Sequence, residues 1–373
     1  MFLNYPNKKT DEEIYAQISD SEFVKQNDVV SQNKLIFGEN LIVLKNLIEK
    51  QRLAGKIDLI YIDPPFATNN TFTFSEERTS TISKEKNEKV AYSDKLQGAE
   101  FLEFLRERLV LLKMLLSDRG SIYVHTDYKI GHYVKIIMDE IFGIENFRND
   151  ITRIKCNPKN FERTGYGNIK DMILFYSKGE NPIWNEPKLP YTELDKIKLF
   201  PKTDKNGKRY GTIPLHAPGE TQRGNTSQTF KGILPPKGRH WRTDITTLEL
   251  WDEQGLIEWS RNGNPRKKIY LDEKGGKRVQ DIWEMKDPQY PLYPTEKNRD
   301  ILDLIIKTSS NRGSYVLDCF CGSGTTLKSA QLLGRSWIGI DQSEQAIKVS
   351  AEKLNTITDE FKLKPIYEKI TCY

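Results

Sequence analysis

Cysteine is scarce in this chain of 373 residues: there are four, Cys156, Cys319, Cys321 and Cys372. Four scattered thiols do not make a disulfide framework. Cys319-Phe320-Cys321 is at most half a metal site, because the other cysteines and the four histidines show no metal-ligand spacing, so no metal is expected. Long apolar runs are missing too. None approaches the ~18 residues needed to cross a bilayer, and the polar N-terminus does not read as a signal peptide. The expectation is a reduced cytoplasmic protein that neither spans nor enters a membrane. Repeats are absent. Charge is nearly balanced, with 57 Lys+Arg against 52 Asp+Glu and a net of +5.

Two stretches carry the chemistry. Ile57-Asp58-Leu59-Ile60-Tyr61-Ile62 is an apolar run that ends in Asp63-Pro64-Pro65-Phe66. It reads as a buried strand running into a loop. Two prolines remove backbone donors and hold the chain extended. The Asp63 side chain and the carbonyls of Asp63 and Pro64 then remain as acceptors beside the Phe66 ring. Such a corner suits a planar group bearing an NH2, such as a nucleobase. A rigid turn in which Asp63 serves as a cap fits the spacing equally well.

The second stretch is Val316-Leu317-Asp318-Cys319-Phe320-Cys321-Gly322-Ser323-Gly324-Thr325-Thr326, followed by the run Trp337-Ile338-Gly339-Ile340-Asp341. It is a βαβ unit with a glycine turn and an acid at the next strand end. Glycines let a nucleoside approach the backbone, and the acid can accept from ribose hydroxyls. No Lys-Ser/Thr pair follows Gly324, which argues against a P-loop ATPase.

Asp63–Phe66 together with the later Asp-x-Phe-x-Gly-x-Gly-Thr-Thr loop resembles the DNA amino-methyltransferases. The catalytic motif comes first and the cofactor motif last, as in the permuted beta class. Further matches are Ser121–Asp127, Asn262–Arg266, Gln280–Trp283 and Tyr293–Lys297. The chain is similar to type II and type III restriction-modification adenine methyltransferases over most of residues 33–350. The resemblance implies S-adenosylmethionine as cofactor and double-stranded DNA as substrate. It leaves open a cognate restriction endonuclease and a homodimer as partners. It implies catalytic roles for Asp63, Pro64, Pro65 and Phe66. Cofactor contacts fall on Glu39, Asn40, Pro294, Thr295, Lys297, Asp318, Cys319, Phe320, Gly322, Ser323, Gly324, Thr325, Asp341 and Gln342. The family has Gly-Asp where this chain has Gly38-Glu39. Two rivals stand beside this reading: methylation of the cytosine 4-amino group, and a silent specificity subunit for a nuclease. Asp rather than Ser at position 63 favours adenine, and the intact motifs argue against a silent subunit.

The expected fold is α/β: a mostly parallel, doubly wound Rossmann-like sheet with an inserted target-recognition region. We expect an N-terminal arm over 1–32, a catalytic half over 33–150, closing strands plus the insertion over 151–290, and a cofactor half over 291–373. Residues 151–290 hold 26 Lys+Arg against 18 Asp+Glu and five of the six tryptophans. Basic groups interleaved with aromatics suit a phosphate backbone. Arg163, Arg223, Lys237, Arg239 and Arg242 are the candidate DNA contacts. Leu256–Trp259, Lys268–Leu271 and Lys277–Ile282 read as an antiparallel meander with Lys274-Gly275-Gly276 as its last turn. Ala99–Ser117 reads as a core helix ended by Gly120, and His125 as a structural residue at a strand end. The polar 67–98 stretch reads as a long loop placed to close over DNA.

Overall fold

The computed structural model describes residues 2–65, 71–74, 89–93, 98–158, 162, 164–221, 224–287, 297–358 and 364–373. The expected loop over 67–98 lies outside them except for a paired Thr71–Phe74 and Lys89–Ser93 and for Gly98. The chain forms two compact units, one of residues 1–187 with 280–373, the other Lys188–Val279.

The first unit is built on a ten-stranded sheet. In chain order its strands are β1 (Phe23–Lys25), β2 (Lys34–Phe37), β3 (Ile57–Ile62), β4 (Leu116–Thr126), β5 (Phe147–Ile154), β6 (Lys170–Ser177), β7 (Ile282–Trp283), β8 (Tyr315–Asp318), β9 (Ser336–Asp341) and β10 (Glu368–Cys372). They lie in the order β1-β10-β2-β9-β8-β3-β4-β6-β5-β7. From β10 to β4 every pairing is parallel. β1 and β6 run antiparallel to their neighbours. The central strands are apolar on both faces because helices cover both. In β3 five of six residues are buried.

The helices of this unit are α1 (Asp11–Gln17), α2 (Asn40–Glu49), α3 (Gly98–Leu115), α4 (Gly131–Phe142), α5 (Arg299–Ser309), α6 (Thr325–Leu332) and α7 (Glu344–Asn355). On α5 the buried residues Ile301, Leu302, Ile305 and Ile306 recur at helical spacing and mark the face turned to the core. α3 ends at Leu115, and Leu116 already pairs with Ile57 in β4. Gly120 therefore lies inside a strand and does not end the helix. A Cβ there would sit 2.8 Å from the Ile57 carbonyl oxygen, so the close approach of β3 to β4 requires glycine.

The N-terminal segment is fastened to this unit. Lys8 pairs with Glu140 at 2.6 Å, Tyr5 donates to Glu103 at 2.7 Å, and the buried Arg106 donates to the Lys9 carbonyl and to Asp11. Ile14 and Ile18 join the main core.

The second unit is small and antiparallel. Lys202–Thr203, Arg209–Pro214, Pro265–Tyr270 and Ile257–Trp259 form a four-stranded sheet in that order. His216–Pro218 and Arg239–Trp241 form a two-stranded ribbon. Trp241, Leu215, Phe230, Leu248 and Ile257 make the core. The expected meander is corrected here. Its first two strands pair, Ile257–Trp259 with Pro265–Tyr270. The chain then makes one helical turn, Leu271–Lys274, which Gly275 closes at φ 63°. Lys277–Arg278 turns away to pair with Lys188–Leu189. Gly276 permits this, since a Cβ there would meet the Leu189 carbonyl at 2.5 Å. Ile282–Trp283 is β7 of the large sheet.

Candidate active site at the strand carboxyl ends

β3, β8 and β9 are neighbouring parallel strands, so Asp63, Asp318 and Asp341 come to one edge of the sheet. In such sheets ligands bind at the carboxyl ends of strands.

Asp63 is four-fifths buried. Its Oδ2 pairs with Lys297 Nζ at 3.0 Å. Its Oδ1 is buried with no hydrogen-bond partner among the described residues. A buried carboxylate oxygen without a donor is costly unless a donor arrives with a ligand. Behind Asp63 a polar row crosses the sheet. One step past the Ile62–Val124 pair, His125 stands beside Asp63. His125 Nδ1 lies 2.9 Å from the Tyr61 hydroxyl and Nε2 lies 3.3 Å from Asp171. Burial, with the charge of Lys297, holds the His125 pKa down, so the ring is neutral. Tyr61, raised by burial, keeps its proton and donates to Nδ1, and Nε2–H donates to Asp171. Burial works against the Asp171 carboxylate, but the bonds from His125 and Lys155 outweigh it and keep Asp171 ionised. The fully buried Arg153 continues the row to Asp171, to the Met285 carbonyl and to Asp287.

Asp318 shapes the glycine loop. It accepts from the Phe320 amide at 3.0 Å and from the Thr326 hydroxyl at 2.6 Å. Burial pushes its carboxyl up to about 7, and the charges of Asp63 and Asp341 add to that. Asp341 accepts from the Gly322 and Ser343 amides, both at 2.9 Å. Burial raises its pKa as well. Gly322 and Gly324 take left-handed φ of 48° and 73°. A Cβ on Gly324 would meet Ser350 Oγ at 2.7 Å, so glycine lets the loop pack on α7. Ser323 and Thr325 are held from α7 by the buried Lys353. Cys319 is buried, Phe320 half-buried and Gln342 exposed.

On the other side of the loop, Glu39 caps α2 by accepting from the Ile42 amide. Asn40 donates to the Cys319 carbonyl at 2.9 Å. Arg108 on α3 bonds both, reaching Asn40 Oδ1 at 2.6 Å and Glu39 Oε1, and stacks over Phe104. Burial lowers the Arg108 pKa, and Glu39 opposes the shift.

Of the expected residues, Asp63, Lys297, Glu39, Asn40, Asp318 to Thr325 and Asp341 thus lie in one unit. Phe66, Pro294, Thr295, Arg163 and Arg223 lie outside the described residues. Lys237, Arg239 and Arg242 are exposed on the second unit. Sequence reading missed Arg108, Asp171, Arg153 and Lys353. Their only signal was a charged residue at a position that helical or strand periodicity assigns to the core.

The Gly322 amide holds the Asp341 carboxylate. Asp318 and Asp341 at this loop and the buried Oδ1 of Asp63 line one edge of the sheet, where enzymes of the α/β class bind their ligands. Residues 57–352 match the family model described as DNA methylase, and the chain belongs to that family. It is 42% identical over 357 residues to the type II methyltransferase M.EcaI of Enterobacter cloacae, covering 93% of this chain and 76% of that protein. It is 26% identical over 382 residues to the probable type III restriction-modification enzyme HindVI Mod subunit of Haemophilus influenzae, covering 83% of this chain and 48% of that protein. Among solved structures it is similar to PvuII DNA methyltransferase (cytosine-N4-specific), with a TM-score of 0.50 and 14% identity over 91% of this chain and 93% of that one. That last likeness is one of fold. Among the described residues no helix is long and apolar enough to cross a membrane.

Proposed function

We propose that the chain methylates the exocyclic 6-amino group of adenine at specific sites in double-stranded DNA, with S-adenosylmethionine as methyl donor. It would serve a cytoplasmic restriction-modification system beside a cognate endonuclease. The observation that carries the reading is the buried Oδ1 of Asp63, without a hydrogen-bond partner among the described residues, on the sheet edge that also bears the glycine loop.

The residues present fit the donor. Asp341 offers acceptors at a strand end, the loop holds no phosphate-binding lysine of P-loop type, and the charges of Asp63 and Asp341 raise the proton affinity of Asp318, an edge that suits a cation. Asp341, Phe320 and Gly322 would hold the nucleoside, with Glu39 and Asn40 setting the wall. S-adenosylmethionine supplies an electrophilic methyl on a cationic sulfur. Asp63 Oδ1 and the Pro64 carbonyl accept the two N–H groups of the adenine amine. An adenine amine is a poor nucleophile because its lone pair is conjugated with the ring. Two fixed acceptors favour a pyramidal nitrogen and free that pair. Acceptors set before the reaction help most as positive charge develops on nitrogen. Lys297 holds Oδ2 and so aims Oδ1. Asp63, or water, takes the proton released. The base must leave the duplex, at a cost of a few kcal/mol.

Asp63→Ala is expected to leave S-adenosylmethionine affinity within about tenfold and to lower methyl transfer by ~10²-fold or more. Single-turnover transfer near the wild-type rate would remove Asp63 from the mechanism. Mass spectrometry of the product nucleoside separates N6-methyladenine from N4-methylcytosine.

A further inference from the structure

Three guanidinium groups surround one imidazole in the second unit. His216 and Trp241 are paired across the two-stranded ribbon, as are Pro218 and Arg239. Trp241 is fully buried in that unit's core and donates its indole N–H to the Gln228 carbonyl at 2.8 Å. This anchor fixes the ribbon, while Arg239 and Arg242, on either side of Trp241, remain exposed. Arg239 Nη1 lies 3.2 Å from His216 Nδ1, and Arg242 Nε donates to the His216 carbonyl at 3.3 Å. Arg266 is held by Thr212 through Nε and Nη2, both at 2.8 Å. None of the three arginines has an ion pair among the described residues.

The protonation state follows from this geometry. A guanidinium can only donate, so His216 Nδ1 accepts and the ring proton sits on Nε2. Partial burial and the charges of Arg239, Arg242 and Arg266 hold the His216 pKa down, which agrees with a neutral ring. Arg239, Arg242 and His216 therefore present donors: guanidinium N–H groups and one imidazole N–H. A two-stranded ribbon is of a size that the DNA major groove admits. There guanine alone presents two acceptors, O6 and N7, to a fork of donors. Phosphate oxygens are also acceptors, but they need no fixed fork.

We infer that the ribbon His216–Pro218/Arg239–Trp241 reads guanine in the target sequence, with Arg239, Arg242 and His216 as specificity-determining residues. The inference rests on the reading of this chain as a site-specific DNA methyltransferase and names the bases it recognises.

The test begins with sequencing of methylated positions in DNA from cells expressing the full chain, which gives the motif. Arg239→Ala, Arg242→Ala, His216→Ala and Arg239→Lys are then compared with wild type. The expected result is a motif that becomes degenerate at one guanine position in at least one arginine variant. Cognate affinity, measured by fluorescence anisotropy without cofactor, falls roughly 10- to 100-fold, and non-cognate affinity is unchanged. Arg239→Lys keeps the charge but loses the fork, so it relaxes the motif as Arg239→Ala does. Replacing that guanine by 7-deazaguanine weakens wild type about tenfold and leaves the matching variant unaffected. Variants that all keep the wild-type motif overturn the inference. So do variants that weaken cognate and non-cognate DNA alike with a shallower salt slope, the mark of phosphate contacts. A methylated cytosine in place of adenine would overturn the proposed base and leave this inference standing.

Discussion

Asp318 shows how one residue can serve a site and burden the fold. Its carboxyl is buried and drawn up to about 7, although Thr326 and Phe320 donate to it. In the unfolded chain an aspartate titrates near 3.8. Between those two values the folded state binds more protons than the unfolded one, so stability falls as pH rises across that window. The loss is at most about 4 kcal/mol, at about 1.36 kcal/mol per unit. Asp318→Asn cannot ionise, and its amide can still accept from Phe320. The melting temperature of Asp318→Asn relative to wild type is expected to move in the variant's favour from about pH 5 to about pH 8. A difference that stays flat over that range would rule out the titration.

At the scale of elements, α2, α3 and the glycine loop are held together by one arginine. Arg108 satisfies Asn40 Oδ1 and Glu39, and Asn40 in turn holds the Cys319 carbonyl. Arg108→Met would leave Asn40 Oδ1 without its donor and Glu39 without its charge partner. The expected loss is roughly 2–4 kcal/mol, below the full figure for a deeply buried pair because Glu39 is partly exposed. Urea unfolding measures it, and an unchanged midpoint would mean that the loop is held elsewhere. None of this could be read from the sequence, because Arg108 is 69 residues from Glu39 and looks like any charge on a leucine-rich helix. What could be read was local. The apolar run ending at Asp63, the glycine turn after Asp318 and the strand ending at Asp341 each announce a strand end within a few residues. The parallel order of the large sheet follows from their alternation with helices. The second unit was harder, since its strands are two to six residues long and a turn glycine there closes a helix. The pairing of Lys297 with Asp63 is also a product of the fold, formed across 234 positions of chain.

At the scale of the molecule, charge is divided between the units. Residues 188–279 contain 19 Lys+Arg and 11 Asp+Glu, a net of +8, and the rest of the chain carries −3. DNA affinity should therefore fall linearly with salt on a log–log plot, with a slope of about −0.9 for each phosphate neutralised. Lys237→Gln, an exposed cation just before the ribbon, is expected to weaken binding to every duplex alike and to reduce the slope by about one. A slope near zero for the wild-type chain would show that the basic unit does not meet the backbone of DNA.

The basic unit begins at Lys188 and ends within two residues of Arg278, and those two residues are paired with each other. An insertion whose ends meet asks of its host only a gap one strand-pair wide. Such a segment can be exchanged between relatives, or lengthened and shortened in its interior, without moving the carboxylates of the sheet edge. Under the proposed function, the segment that chooses the target can be exchanged at two adjacent points of the chain, while the chemistry stays under the constraint of a buried core.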